Sequence, residues 1–211
     1  MQQRHTVLVS GFEEFGGQNV NPSQQLAANV QGARIANHCV ESVILPVTFE
    51  GAFRALAEAI NRVQPAVVIC LGQAGGREAI CVEEVAVNVC DAPIPDNAGE
   101  QPLSTNIDPS GPDTLGATLP AAAIVAALRA VDLRAEKSNS AGTFVCNHVF
   151  YKLMNLLRDT PNVIGGFVHV PYLPEQVTEA HIPSMSLLEM ERGLRIAIAV
   201  SLSAKRVSAN S

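Results

Sequence analysis

The chain has 211 residues, of which 14 are Lys or Arg and 20 are Asp or Glu, giving a formal net charge of −6. This acidic balance argues against a nucleic-acid-binding surface, which needs a basic stripe. A hydrophobic content of 47% excludes a disordered chain. No apolar run reaches the roughly 20 residues of a membrane span, and the N-terminus has no signal-peptide pattern. We therefore expect a single soluble domain over 1–211.

Short apolar runs alternate with helical segments, which is typical of an α/β protein with a largely parallel sheet. In chain order, the predicted elements are a strand at 6–10, a helix from 22 with Asn21 as N-cap, a strand at 40–47, a helix at 48–63, strands at 66–71 and 85–89, helices at 120–131 and 143–159, a strand at 163–170, and a final helix that opens with the capping box Ser186–Glu189 and ends near 204. The fold class we predict is a three-layer α/β/α sandwich around a twisted, mostly parallel, mixed sheet.

Residues 91–120 contain six prolines and three glycines, which exclude a long regular element there. A loop of this length in a compact domain is usually functional or disordered. The last residues, 206–211, are predicted to be a frayed tail.

Five cysteines form no Cys-x-x-Cys pair, which indicates reduced thiols in the cytoplasm. They are Cys39, Cys70, Cys81, Cys90 and Cys146. Cys70 lies in a continuous apolar run and is predicted to be a core residue. The spacing of Cys81 and Cys90 matches no zinc ligand pair, so no metal site is predicted.

Cys146 has the most informative context among these cysteines. Gly142 and Thr143 precede the helical pattern, so Thr143 is the predicted N-cap and Cys146 falls in the first turn. The free N–H groups of a helix start stabilise an anion, lower the pKa of a thiol and can hold an oxyanion. The alternative is that Cys146 is a small buried helix residue.

A nucleophilic cysteine needs a base and a residue that orients it. His148 is two residues from Cys146 and points to another face of the helix, whereas His169 ends an apolar strand, where α/β sheets place their ligand crevice. Glu83 and Glu84 precede the predicted strand at 85–89 and offer an acidic partner. The alternatives are a structural histidine for His169 and a solvated strand edge for the two glutamates.

Two loops have the composition of ligand contacts. The segment from Gln73 to Arg77 follows a strand but lacks Gly-Lys-Ser/Thr and does not fit G-x-G-x-x-G, so nucleotide binding is not predicted. A flexible turn that brings Gln73 to a ligand fits better. Phe12 and Phe15 lie in a Gly-rich loop after the first strand, in a chain with only seven Phe and two Tyr.

Six segments together resemble the pyroglutamyl peptidase I family of cysteine peptidases. They are Val9-Ser-Gly-Phe-Glu-Glu-Phe-Gly-Gly17 with Val20-Asn-Pro-Ser23; Gly72-Gln-Ala-Gly-Gly-Arg77; Glu83 with Val85-Ala-Val-Asn88; Ile94-Pro-Asp-Asn97 with Gly99 and Gln101-Pro102; Ser140-Ala-Gly-Thr-Phe-Val-Cys-Asn-His-Val-Phe-Tyr151; and Gly166-Phe-Val-His-Val-Pro-Tyr-Leu-Pro-Glu-Gln176. They stand in family order and at family spacing from about residue 6 to residue 200.

The resemblance implies a nucleophile, a general base and an acidic residue at Cys146, His169 and Glu83. It implies removal of an N-terminal 5-oxoproline from peptides through a thioester, without a metal or organic cofactor. The substrate-binding residues that it implies are Phe12, Phe15, Asn21, Gln73, Phe144 and Val145. Family members often form homo-oligomers, dimers or tetramers.

Some positions depart from the family pattern. Glu14 stands where the family often has Pro, Cys81-Val82 replaces Thr-Pro, Glu84 replaces Arg, and Pro93 replaces an Arg thought to lie near the active site. Two other interpretations therefore stay open at this point. One is a non-catalytic relative that binds pyroglutamyl peptides, and the other is a different small-molecule hydrolase on a similar scaffold.

Overall fold

The computed structural model describes residues 5–160, 162–179 and 181–209. The strands are β1 (Thr6–Phe12), β2 (Arg34–Ile35), β3 (His38–Leu45), β4 (Val67–Gln73), β5 (Ile80–Glu83), β6 (Val85–Val87), β7 (Thr114–Gly116), β8 (Ala135–Ser138) and β9 (Ile164–Val170). The helices are α1 (Pro22–Val30), α2 (Phe49–Val63), α3 (Ala121–Arg129), α4 (Val145–Leu157) and α5 (Leu187–Ala209), with a short 3₁₀ helix at Pro174–Gln176.

Seven strands form the central sheet in the order β2-β3-β1-β4-β9-β5-β8. The pairs β1–β3, β1–β4, β4–β9 and β5–β8 are parallel, whereas β5 runs antiparallel to β9 and β2 antiparallel to β3. Helix α5 packs against both α1 and α3, and α2 packs on α4. The predicted three-layer α/β fold with a mostly parallel, mixed sheet is confirmed.

Successive side chains of β1 point to opposite faces of the sheet, which shows how the sheet separates two hydrophobic cores. Val7 and Val9 pack with the core that includes α1, α3 and α5, while Leu8 packs with the core of α2 and α4. In the central strand β4, all residues but the last are buried. This burial on both faces is why the sequence shows a continuous apolar run there rather than an alternating one.

The helix starts mostly agree with their predicted caps. Asn21 caps α1 by accepting a bond from Ser23 N–H, and Ser186 and Glu189 form the reciprocal capping box before α5. The predicted N-cap at Thr143 is wrong. The cap residue is Phe144, and the Thr143 hydroxyl donates to the Asp91 carbonyl at 2.7 Å instead. Helix α5 extends to 209, so the predicted tail overlaps it, and residues 210 and 211 lie outside the described residues.

Two strands next to the site were not predicted. β5 and β8 extend the main sheet, whereas the predicted strand at 85–89 is the shorter β6, which pairs with β7 in a separate two-stranded sheet. The segment 91–120 contains β7 and is anchored to the domain. Its buried Asp96 accepts a bond from Phe49 N–H at the start of α2. Among the described residues, no helix is long and apolar enough to span a membrane.

Candidate active site

The carboxyl ends of parallel strands meet at one edge of the sheet, and a cavity of about 240 Å³ opens there. β1 contributes Phe12, β4 contributes Gln73 and β9 contributes His169. The cavity is lined by Phe12, Phe15, Asn21, Val47, Gln73, Ala74, Arg77, Ala141, Gly142, Phe144, Val145, Cys146 and His169. It is smaller than the roughly 300–1,000 Å³ of sites for drug-sized ligands, so it suits a small group.

His169 is held by a buried carboxylate on the neighbouring strand. Antiparallel pairing places Cys81 opposite His169, so Glu83 lies diagonally across on the same face. Glu83 Oε1 is 2.8 Å from His169 Nδ1, and both side chains are almost fully buried. When the carboxylate accepts a hydrogen bond from Nδ1–H, Nε2 remains as the unprotonated nitrogen of the neutral ring.

Arg77 is a second hydrogen-bond donor to the same carboxylate oxygen, Glu83 Oε1. Its Nη1 donates to Glu83 Oε1 at 2.8 Å and to Ser138 Oγ at 3.3 Å, and its Nη2 donates to the Ser140 carbonyl at 2.8 Å. Arg77 therefore connects the turn after β4, the acidic residue and the segment that leads into α4. Sequence reasoning treated Arg77 only as the end of a glycine-rich turn and missed these contacts.

The charges of this cluster shift its pKa values in defined directions. Burial raises the pKa of Glu83, but the hydrogen bond and charge of His169, with Ser138 and Arg77, outweigh it and the net pKa is lowered. Burial lowers the pKa of His169 and outweighs the opposing effect of Glu83. At neutral pH the pair is thus a carboxylate and a neutral imidazole, which is the protonation state of a general base.

Cys146 is the second residue of α4 and faces the same cavity. Gly72 makes room for it, since a Cβ there would come within 3.0 Å of Cys146 Sγ and 2.8 Å of the Phe167 ring. Burial, aided by the negative charge of Glu83, raises the pKa of the thiol to about 12. The sequence-based expectation of a lowered pKa is therefore not met, because desolvation exceeds the stabilisation from the helix start.

The start of α4 also provides hydrogen-bond donors. The first N–H groups of a helix have no intrahelical acceptor, and the cap residue Phe144 offers none from its side chain. The N–H groups of Val145 and Cys146 belong to this set, at the wall of the cavity. Donors in that place suit an oxyanion that forms on a carbonyl attacked by Cys146.

Aromatic rings and two amides complete the wall. The Phe15 and Phe144 rings are 5.2 Å apart, and Phe49 packs edge-on against Phe144 at 5.4 Å. Asn21 uses both amide atoms within the chain, since Oδ1 caps α1 and Nδ2 donates to the Glu13 carbonyl. Gln73 Oε1 accepts a bond from Gln176 Nε2 at 2.8 Å.

Other candidates lie away from the cavity. The His148 ring packs on Phe49, and its Nδ1 is 3.8 Å from Cys90 Sγ, so it faces away from Cys146 as predicted. Glu84, directly after β5, pairs with Lys137 at 3.1 Å, and both side chains are partly exposed. Pro93 is exposed. The two departures from the family pattern at 84 and 93 therefore leave the cavity lining intact.

The chain is similar in sequence and in fold to one family of known proteins. The family model described as pyroglutamyl peptidase matches residues 5–204. A pyrrolidone-carboxylate peptidase of an Enterobacter species is 46% identical over 94% of this chain and 93% of its own length, and one of Cupriavidus taiwanensis is 46% identical over 95% and 94%. The crystal structure of Bacillus amyloliquefaciens pyroglutamyl peptidase I matches with a TM-score of 0.92 at 40% identity, over 95% of this chain and 98% of that one. The pyrrolidone carboxyl peptidase of Thermococcus litoralis matches with a TM-score of 0.93 at 37% identity, over 97% and 96%. The chain belongs to the pyroglutamyl peptidase family.

Proposed function

We propose that the chain is a cysteine exopeptidase that removes N-terminal 5-oxoproline from peptides, with Cys146 as nucleophile, His169 as general base and Glu83 as its orienting carboxylate. One observation carries the proposal: Cys146 and a neutral His169 line the same cavity, and His169 Nδ1 is hydrogen-bonded to the buried Glu83. Family membership supports the substrate class, since the relatives named above are pyroglutamyl or pyrrolidone-carboxylate peptidases.

The protonation states define the first chemical step. The thiol of Cys146 is protonated in the free enzyme because its pKa is about 12. His169 Nε2 takes this proton while Sγ attacks the carbonyl carbon of the 5-oxoprolyl residue, and the negative charge passes to the carbonyl oxygen. The N–H groups at the start of α4 bind that oxyanion. The carboxylate of Glu83 stabilises the imidazolium that forms.

Two further steps complete the reaction. When the tetrahedral intermediate collapses, the C–N bond breaks, His169 gives its proton to the leaving amine, and a thioester to Cys146 remains. Water then attacks the thioester, and His169 takes a proton from that water. Collapse breaks the C–S bond, releases 5-oxoproline and returns the proton to the thiol. The residues present balance every proton, so no step needs a cofactor.

We propose that the aromatic wall of Phe12, Phe15 and Phe144, with Val145, encloses the uncharged lactam ring, and that Gln73 and Asn21 lie at its polar atoms. A buried polar group that loses its partner costs about 1–3 kcal/mol. A site built around the ring carbonyl therefore rejects a prolyl residue, which lacks that carbonyl. Equal hydrolysis of prolyl and pyroglutamyl amides would overturn this pocket assignment.

The test is hydrolysis of a fluorogenic pyroglutamyl amide by the reduced protein. Cys146→Ser is expected to lower kcat by at least about a thousandfold, and alkylation with iodoacetamide should abolish turnover. Cys39→Ser is the matched control, because Cys39 is also a free, partly exposed thiol but lies on β3. Hydrolysis that survives Cys146→Ser unchanged would refute the mechanism, and a folded wild-type protein without hydrolysis would refute the function.

We further propose that the enzyme works in the cytoplasm as a homo-oligomer, a dimer or a tetramer. Free thiols at all five cysteines fit a reducing compartment. Exposed apolar side chains at Ile94 and Leu103, 42% and 64% accessible, fit a surface covered by a second copy. Light scattering of the purified protein tests the assembly, and a monomeric mass at micromolar concentration would contradict it.

A further inference from the structure

Gln73 has a fixed hydrogen-bonding polarity within the cavity wall. A glutamine amide has one end that accepts and one that donates, and only its surroundings decide which end faces which partner. Gln73 Oε1 accepts a bond from Gln176 Nε2 at 2.8 Å. The orientation of Gln176 therefore determines what Gln73 presents to a ligand.

Gln176 is in turn fixed by backbone groups that cannot exchange roles. The Leu173 N–H donates to Gln176 Oε1 at 2.8 Å, and Gln176 Nε2 donates to the Val20 carbonyl at 3.1 Å. A third, longer distance of 3.4 Å joins Nε2 to Oε1 of the exposed Gln18. Since a backbone N–H only donates and a carbonyl only accepts, flipping Gln176 would break both backbone bonds.

The two segments that carry these amides are pressed together. Gln176 ends the 3₁₀ helix that follows β9, and Gln73 is the last residue of β4, directly before the turn. A Cβ at Gly75, in that turn, would overlap the Tyr172 ring, so only glycine allows the ring to lie against the turn. This contact keeps Gln73 within reach of Gln176.

We propose that Gln176 is a positioning residue that sets Gln73 as a hydrogen-bond donor toward the substrate ring. With Oε1 committed to Gln176, the Nε2 of Gln73 keeps its hydrogens for the cavity that the residue lines. A pyroglutamyl ring offers a carbonyl acceptor to such a donor, and a prolyl ring does not. The inference rests on the proposed function and assigns part of its specificity to a residue outside the cavity lining.

Gln176→Glu is the sharpest variant, because a carboxylate can only accept. Gln73 must then turn its amide to donate to the new carboxylate, and it presents Oε1 to the ring carbonyl. We expect kcat/KM for a pyroglutamyl amide to fall about 10- to 100-fold. Gln176→Ala, which only frees the Gln73 amide, should cost about three- to tenfold. Glu175→Ala is the matched control, since Glu175 lies on the same 3₁₀ helix with an exposed side chain.

Two readouts separate this role from a merely structural one. Alkylation of Cys146 by iodoacetamide does not involve the Gln73 side chain. Its rate in Gln176→Glu should therefore stay within about twofold of the wild-type rate. In a Gln73→Ala background, adding Gln176→Glu should lower kcat/KM by less than about twofold, because Gln176 acts through Gln73.

Each contrary result has a distinct meaning. An undiminished kcat/KM in Gln176→Glu, an equal loss in the Gln73→Ala background, or a parallel loss of alkylation would each overturn the role of Gln176. Wild-type protein that fails to hydrolyse the pyroglutamyl amide would instead refute the proposed function. The same set of variants therefore distinguishes a failure of the Gln176 proposal from a failure of the proposed peptidase function.

Discussion

Replacing Glu83 by Gln removes one charge from the centre of the site and keeps the shape of the side chain. Glu83 Oε1 accepts from both His169 Nδ1 and Arg77 Nη1 at 2.8 Å. Arg77 can only donate, so it holds the amide oxygen of the variant in the place of Oε1, where it still accepts from His169 Nδ1. The ring of His169 thus keeps its tautomer but loses the negative charge that stabilises the imidazolium. In a catalytic triad, an acid-to-amide change that also imposes the wrong tautomer costs about 10⁴ in kcat. With the tautomer kept, we expect a smaller loss of about 10²- to 10³-fold here, or about 3–4 kcal/mol.

The neighbouring Glu84→Gln is the matched control for this change. Both residues are glutamates, but Glu84 pairs with Lys137 at 3.1 Å with side chains 35% and 48% exposed, whereas Glu83 is completely buried. An exposed ion pair contributes about 0–1 kcal/mol. Glu84→Gln should therefore change both the activation free energy for turnover and the free energy of unfolding by less than about 1 kcal/mol. Equal activities of the two variants would refute the assignment of Glu83.

The pH dependence checks the same reasoning in a second way. Glu83 raises the pKa of His169, so its replacement should move the acidic limb of kcat/KM to lower pH. The folded-state pKa of Glu83 is itself lowered from 4.5, so it stabilises the fold above that pH and this contribution is lost as pH falls through the folded value. The stability difference between wild type and Glu83→Gln should thus shrink in acid. A difference that grows in acid would contradict the direction of the shift.

Three further predictions follow from the geometry of the nucleophile and base. Gly72→Ala should destabilise the fold by about 1–3 kcal/mol and, by displacing Cys146 Sγ, lower activity at least about tenfold. Gly116→Ala is the control, because a Cβ there meets its nearest atom only at 4.0 Å, and it should change neither the melting temperature nor the activity. Arg77→Met should raise the pKa of His169 and move the acidic limb of kcat/KM to higher pH, and an unmoved limb would contradict this. Alkylation of Cys146 should accelerate steadily from about pH 6 to about pH 9, and a plateau in that range would reveal a thiolate formed before substrate binds.

Strand burial decided which parts of the sheet the sequence could predict. The central strand β4 is buried on both faces, and its uninterrupted apolar run marked it clearly. β8 reads Ala-Glu-Lys-Ser and lies at the edge of the sheet, so no apolar pattern was available. β5 has only four residues, all buried, between a glycine-rich turn and a second strand. Glu83 was consequently taken to precede a strand, whereas it ends one.

The ionisation of Cys146 shows where local reasoning about a site stops. Its place in the first turn of a helix was predictable from Gly142 and the apolar pattern that follows. The direction of its pKa shift was not predictable, because the decisive causes lie in distant parts of the chain. Gly72 on β4 allows Phe167 and the thiol to pack closely, and Glu83 on β5 places a negative charge nearby. Desolvation and like charge both favour the neutral thiol.

The polarity of the Gln73 amide lies still further from any local pattern. It depends on Gln176, 103 residues away, which is oriented by the Val20 carbonyl and the Leu173 N–H. A chain could keep every cavity-lining residue and still present the wrong end of Gln73 if position 176 became acidic. Discrimination between a lactam and a proline ring would then fall while Cys146 kept its reactivity. We therefore expect the lining residues to be necessary for this specificity but not to determine it by themselves.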